Sequence, residues 1–193
     1  LYQQSGDKGA LKEVYPALTR YLNWRIAEPR WIYLGMTPKN EKDSEFVVEA
    51  LTDIENMQKI ALELGMPEEA KEWEKTYKNF YAQYLDWFWS HPQALPVQHL
   101  NQFEGRDTYP VQITTGLYLD ELSGDYLTSM LGLVYKYYDT DMYFAGFDAP
   151  KYPDISYTVY GLINKNKTEL ARGVLEANIR DVVLSNIFAE TYF

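Results

Sequence analysis

The residues able to do chemistry are chiefly carboxylates set beside aromatic rings. Glu190 lies in Asn186-Ile187-Phe188-Ala189-Glu190-Thr191-Tyr192-Phe193, at the close of a long amphipathic segment. One carboxylate among rings there is either a solvated helix-end charge or a group in a sugar-binding cleft. Asp107, in Glu104-Gly105-Arg106-Asp107, is the most site-like loop carboxylate. Arg106 beside it favours its charged form, which suits a binding role better than proton donation. Glu45, Glu49 and Asp53 recur at four-residue steps and share one helix face. They could line a cleft or hold a hard cation, but a solvated face is the expectation, because like charges need a reason to be buried.

Other patterns point away from metals. Asp139, Asp141 and Asp148 do not follow a calcium-loop spacing. His91 and His99 lack a zinc spacing and read as solvated loop residues. The chain has no cysteine, which removes disulfides, thiolate sites and cysteine nucleophiles. No cofactor and no metal is expected.

Composition narrows the partners. The net charge of −10 repels phosphates, so neither nucleic acid nor an anionic membrane is an expected partner. No apolar run reaches the roughly 20 residues of a membrane span. No signal-peptide pattern opens the chain, so a cytoplasmic location is the expectation, for a chain whose start at Leu1 reads as cut. Eighteen Tyr and five Trp are more than a core alone requires. Their flat faces and polar edges suit sugar rings and hydroxyls, and they equally suit the boundary of a helical core.

Helices must position these groups. Residues 1–8 read as a short polar lead with Gly6 and Gly9 as breakers. Apolar residues at three- and four-residue steps predict a helix over 10–27, with Pro16 either kinking it or marking its first turn. A second helix runs from Asp43 or Ser44 to Leu64, closed by Gly65. A third opens at Pro67 and ends near Trp89, so 64–67 is the tight joint of an αα-hairpin. Residues 90–114 form a long connection with room for a short strand pair. A short helix is expected over 114–119, then helices over 126–138, 155–163 and from 167 or 168 onward. Loops 30–42, 91–114 and 139–154 alternate with short joints. In a ring of hairpins such loops gather on one rim. Arg30, Trp31 and Tyr33 in the first loop, and Arg106, Asp107 and Tyr109 in the second, are the candidate contacts there.

Three stretches resemble the six-hairpin, (α/α)6-toroid glycosidases, the group containing trehalase, processing α-glucosidase, mannosylglycerate hydrolase and glycogen-debranching-related proteins. They are Glu13-Val14-Tyr15-Pro16 through Tyr21-Leu22-Asn23-Trp24, Asp43-Ser44-Glu45-Phe46 through Glu68-Glu69-Ala70, and Val159-Tyr160-Gly161-Leu162-Ile163 through Phe188-Ala189-Glu190-Thr191-Tyr192. The family's Trp-Asp motif, which supplies its general acid, lies upstream of the stretches matched here. Lys151-Tyr152-Pro153-Asp154 stands where Trp-Arg-Gly-Pro is usual, and Asp43-Ser44-Glu45 where Asp-Leu-Asn is usual.

The resemblance implies an all-α fold of antiparallel helical hairpins forming part of an (α/α)6 toroid. It implies that residues 1–193 are one domain, a C-terminal part of a larger catalytic unit. It implies inverting hydrolysis of an α-glycoside, in which an acid and a base some 6.5–9.5 Å apart flank the sugar. Glu190 would be the base. Tyr192, Trp31, Tyr33 and Tyr109 would contact sugar, and Arg30, Arg106 and Asp107 would make charged contacts. The expected partners are an oligosaccharide or glycoside, and a second copy or the remainder of the catalytic domain. The rival readings are a non-catalytic hairpin module binding saccharide or protein, and a plain helical scaffold.

Overall fold

The computed structural model describes residues 2–27, 44–90, 95–96, 114–137 and 152–185. They are all-helical apart from one pair of two-residue strands. The helices are α1 (Tyr2–Ser5), α2 (Lys8–Ala27), α3 (Ser44–Glu63), α4 (Pro67–Phe88), α5 (Gly124–Tyr137), α6 (Tyr152–Asn164) and α7 (Thr168–Ser185), with a 3-10 helix at Thr115–Tyr118.

The start of the chain is helical, contrary to the expected polar lead. Gly6 takes φ +67°, which turns the chain between α1 and α2. Asp7 then caps α2, its Oδ1 accepting from the amides of Gly9 (2.9 Å) and Ala10 (3.1 Å). This cap outweighs the low helix propensity of Gly9. Pro16 lies inside α2 and not in its first turn.

The joint at 64–66 is a Schellman motif. Met66 N–H reaches Ala61 O (2.8 Å) and Gly65 N–H reaches Leu62 O (3.0 Å), with Gly65 at φ +72°. The joint after α6 repeats it with Asn166 at φ +58°. There Lys167 N–H reaches Leu162 O (2.8 Å) and Asn166 N–H reaches Ile163 O (2.9 Å). Beyond α4, β1 (Trp89–Ser90) pairs antiparallel with β2 (Leu95–Pro96), in the register Trp89↔Pro96 and Ser90↔Leu95. α6 begins at Tyr152, earlier than the periodicity suggests, because Pro153 is tolerated in a first turn.

The core is built on α3. Val47, Val48, Ala50, Leu51, Ile54 and Ala61 are fully buried. They meet Ala70, Trp73, Tyr77, Phe80, Tyr84 and Phe88 of α4 in one apolar cluster, which Leu117, Met130, Ile155, Leu162 and Val174 extend. Gly161 sits directly on the backbone of Leu117 and Tyr118, which brings α6 against the 3-10 helix.

Side-chain bonds fix the helix directions. Lys8 Nζ reaches Glu63 O (3.0 Å), while Arg25 reaches Phe46 O (3.2 Å), so α2 and α3 are antiparallel. Tyr157, early in α6, interacts with Glu45, Glu49 and Asp53 in the first half of α3. Lys165, just past α6, donates to Asp120 O (2.6 Å). The neighbouring Glu121 accepts from Tyr77 Oη (2.7 Å), at mid-α4. Thus α6 runs in the same sense as α3. The C-terminal ends of α2, α4 and α7 and the N-terminal ends of α3 and α6 share one end of the bundle, and the two Schellman joints point the other way.

Candidate functional site

At the shared end, α2, α3 and α6 bring together a charged and aromatic cluster. Arg25 is buried on α2. Its Nη1 donates to Asp53 Oδ2 (2.9 Å), and its Nη2 donates to Glu49 Oε2 (3.1 Å) and Phe46 O. The four-residue step of the acidic row places Glu49 and Asp53 side by side, and one planar guanidinium spans both. The row is therefore only in part the solvated face its spacing suggests, with Asp53 45% exposed and Glu49 32%. Glu45 is only 7% exposed, and Arg25 supplies the positive charge that offsets the partial burial of Glu49 and Asp53. Among the described residues no group of three His, Cys, Asp or Glu is placed to hold a metal ion.

Two phenols complete the cluster. Tyr118 and Tyr157 meet edge to face at 5.3 Å. Burial pushes the Tyr157 phenol up, and the nearby Glu49 and Asp53 carboxylates, Tyr118 and Glu45 add to the shift. Burial also raises the Asp53 carboxyl, against the pull of Arg25. Beneath them Thr114 and Thr158 share a buried hydroxyl–hydroxyl bond (2.8 Å), and Ser44 Oγ is buried with no hydrogen-bond partner. Arg25, Glu49, Asp53, Tyr118 and Tyr157 thus make a partly exposed cluster of donors and acceptors at this end, while the Thr114–Thr158 pair and Ser44 lie out of reach of solvent.

All eight site residues expected from the sequence lie outside the described residues: Arg30, Trp31, Tyr33, Arg106, Asp107, Tyr109, Glu190 and Tyr192. So do His91, His99, Asp139, Asp141 and Asp148. Arg30, Trp31 and Tyr33 follow the C-terminal end of α2 in sequence, and Glu190 and Tyr192 follow that of α7. Both ends belong to the end of the bundle that carries Arg25.

Sequence reasoning missed Arg25 and Tyr157. Arg25 occurs in a helix read for its apolar stripe, and only its reach to α3 reveals its role. It also missed an open cleft of about 380 Å³ between α2 and α4, lined by Thr19, Asn23, Glu68, Glu69, Glu72, Trp73 and Thr76. At its base Trp73 Nε1 donates to Tyr15 Oη (2.9 Å), and Tyr15 Oη donates to Glu69 Oε2 (2.8 Å). Its three carboxylates are solvent-exposed. It lies by the first turns of α4, toward the Schellman joints.

No helix among the described residues is long and apolar enough to cross a membrane. The chain matches no family model and no curated protein.

Proposed function

We propose that this chain is part of an inverting glycoside hydrolase of the (α/α)6-toroid type, acting on an α-glycosidic substrate, with Glu190 as general base. The observation that carries the reading is the sharing of one bundle end. The helix that leads to Trp31 carries Arg25 beside Glu49 and Asp53, and α7, which leads toward Glu190, ends at the same end of the bundle. α3 and α6 run in the same sense, as the inner helices of such a ring do. Trp31, Tyr33, Tyr109 and Tyr192 would stack on sugar or bond its hydroxyls, and Arg30, Arg106 and Asp107 would make charged contacts. Glu190 would take a proton from water on the face of the sugar opposite the departing oxygen. The general acid would come from outside this chain.

The test is hydrolysis of a panel of α-glycosides by the full-length protein, with Glu190→Gln measured beside it. Loss of a catalytic base lowers kcat by at least about a hundredfold. Turnover unchanged by Glu190→Gln overturns the assignment. A chain that binds saccharide, read by tryptophan fluorescence, yet hydrolyses nothing in its full-length form, would instead be a binding module.

A further inference from the structure

The joint between α6 and α7 carries Asn166-Lys167-Thr168. An asparagine with threonine two positions on, and no proline between them, is the pattern that accepts an N-linked glycan. No other asparagine of the chain is followed two positions on by Ser or Thr. Such triplets also arise by chance, so their placement in the fold decides what they can do. Here all three residues are exposed at the tip of an αα-hairpin. The main chain of the tip is already engaged, Asn166 N–H with Ile163 O (2.9 Å) and Lys167 N–H with Leu162 O (2.8 Å). Lys165 Nζ, bonded to Asp120 O (2.6 Å), holds the near side of the turn, while Asn166, Lys167 and Thr168 stay in solvent. The other Schellman joint puts Gly65 at its left-handed position, the residue that adopts that conformation without strain. Asparagine is the usual alternative there, and it alone of the two brings a side-chain amide to the surface.

We propose that Asn166 is an N-glycosylation site. The donor is an oligosaccharide carried on a polyprenyl pyrophosphate. Asn166 Nδ2 forms a bond to the anomeric carbon, and the bond from that carbon to the pyrophosphate oxygen breaks. The polyprenyl pyrophosphate leaves with the electron pair, and one amide proton passes to a base of the transferase. The Thr168 hydroxyl is the group the transferase requires two positions on. A glycan on this joint stands at the end of the bundle away from Arg25, Glu49 and Asp53, so it leaves the candidate site uncovered. The donor is met on export, so the proposal carries a location with it, unlike the cytoplasmic one expected from the sequence. It does not depend on the hydrolytic reading.

The experiment is mass spectrometry of the full-length protein isolated from the cells that make it naturally, with and without peptide N-glycosidase in heavy-oxygen water. The peptide containing Asn166 should carry a glycan mass, and the enzyme should remove it and convert the amide to an acid labelled with heavy oxygen. Thr168→Ala, made in the same cells, should lose the modification entirely, whereas Thr168→Ser should keep it. Position 168 is exposed in the first turn of α7, and circular dichroism checks that both variants stay folded. An unmodified Asn166 in the natural protein overturns the proposal, and so does a glycan that persists in Thr168→Ala.

Discussion

Arg25 concentrates several consequences in one side chain. Replacing it by Met keeps the aliphatic stem but leaves Glu49 and Asp53 facing each other without the guanidinium. The expected loss is about 1–3 kcal/mol, since a charge-assisted hydrogen-bond network is broken, and a denaturant midpoint reads it. The same variant reports on Asp53. Arg25 lowers the Asp53 carboxyl while burial raises it. Removing Arg25 should therefore raise Asp53 further, as a carboxyl-carbon NMR titration would show. The sign carries into stability. A carboxyl raised in the folded state holds its proton where the unfolded chain has lost it. Asp53 thus contributes stability that declines as pH rises from the ordinary carboxylate value through the folded one. In Arg25→Met that decline should extend to higher pH.

The elements are stabilised at their ends as much as along their faces. Both Schellman joints need a left-handed residue, and the chain uses Gly65 in one and Asn166 in the other. Gly65→Ala should cost about 1–2 kcal/mol. Asn166→Gly should instead gain a few tenths to about 1 kcal/mol, because glycine takes that conformation without strain. Thermal melts should move in opposite directions, by about 2–4 °C per kcal/mol. Along α4, Tyr77, Tyr81 and Tyr84 form a stacked series with centroids 6.0 and 6.1 Å apart. Burial raises all three phenols, Tyr81 to about 12, and the bond to Glu121 raises Tyr77 further. The folded chain therefore keeps protons that the unfolded chain loses above about pH 10, and stability falls as pH rises through that region. Phenolate absorbance of these rings should appear together with loss of helical circular dichroism.

At the scale of the whole molecule, two elements meet backbone to backbone at Gly161. A Cβ there would overlap the backbone of Leu117 and Tyr118, which no rotamer change relieves. Gly161→Ala should cost about 3 kcal/mol or more by forcing α6 off the 3-10 helix. Ala at Gly132, where no atom lies near, provides the contrast and should leave stability unchanged or slightly higher. The Gly161 contact was not legible in the sequence, because nothing local marks the 3-10 helix as its neighbour. The exposed apolar residues of α2 and α7 are likewise visible only in the fold, because they look like ordinary members of a core-facing pattern. Periodicity says that a face is apolar, and packing decides whether anything covers it.

By itself the sequence determined the helical class, the order and approximate bounds of the long helices, and the tight joint at Gly65. These follow from interactions within a few residues: apolar repeats, proline in a first turn and glycine at a helix end. It misjudged the opening residues in part: Gly6 does break the chain, but the capping carboxylate of Asp7 carries the next helix through Gly9. It misjudged the acidic row because the compensating charge, Arg25, comes from another helix. Only the tertiary structure decided that α3 and α6 run in one sense and that Arg25 gathers Glu49 and Asp53 beside Tyr157. Pairing across sequence distance depends on how whole faces pack, and no local pattern encodes which face a given side chain will meet.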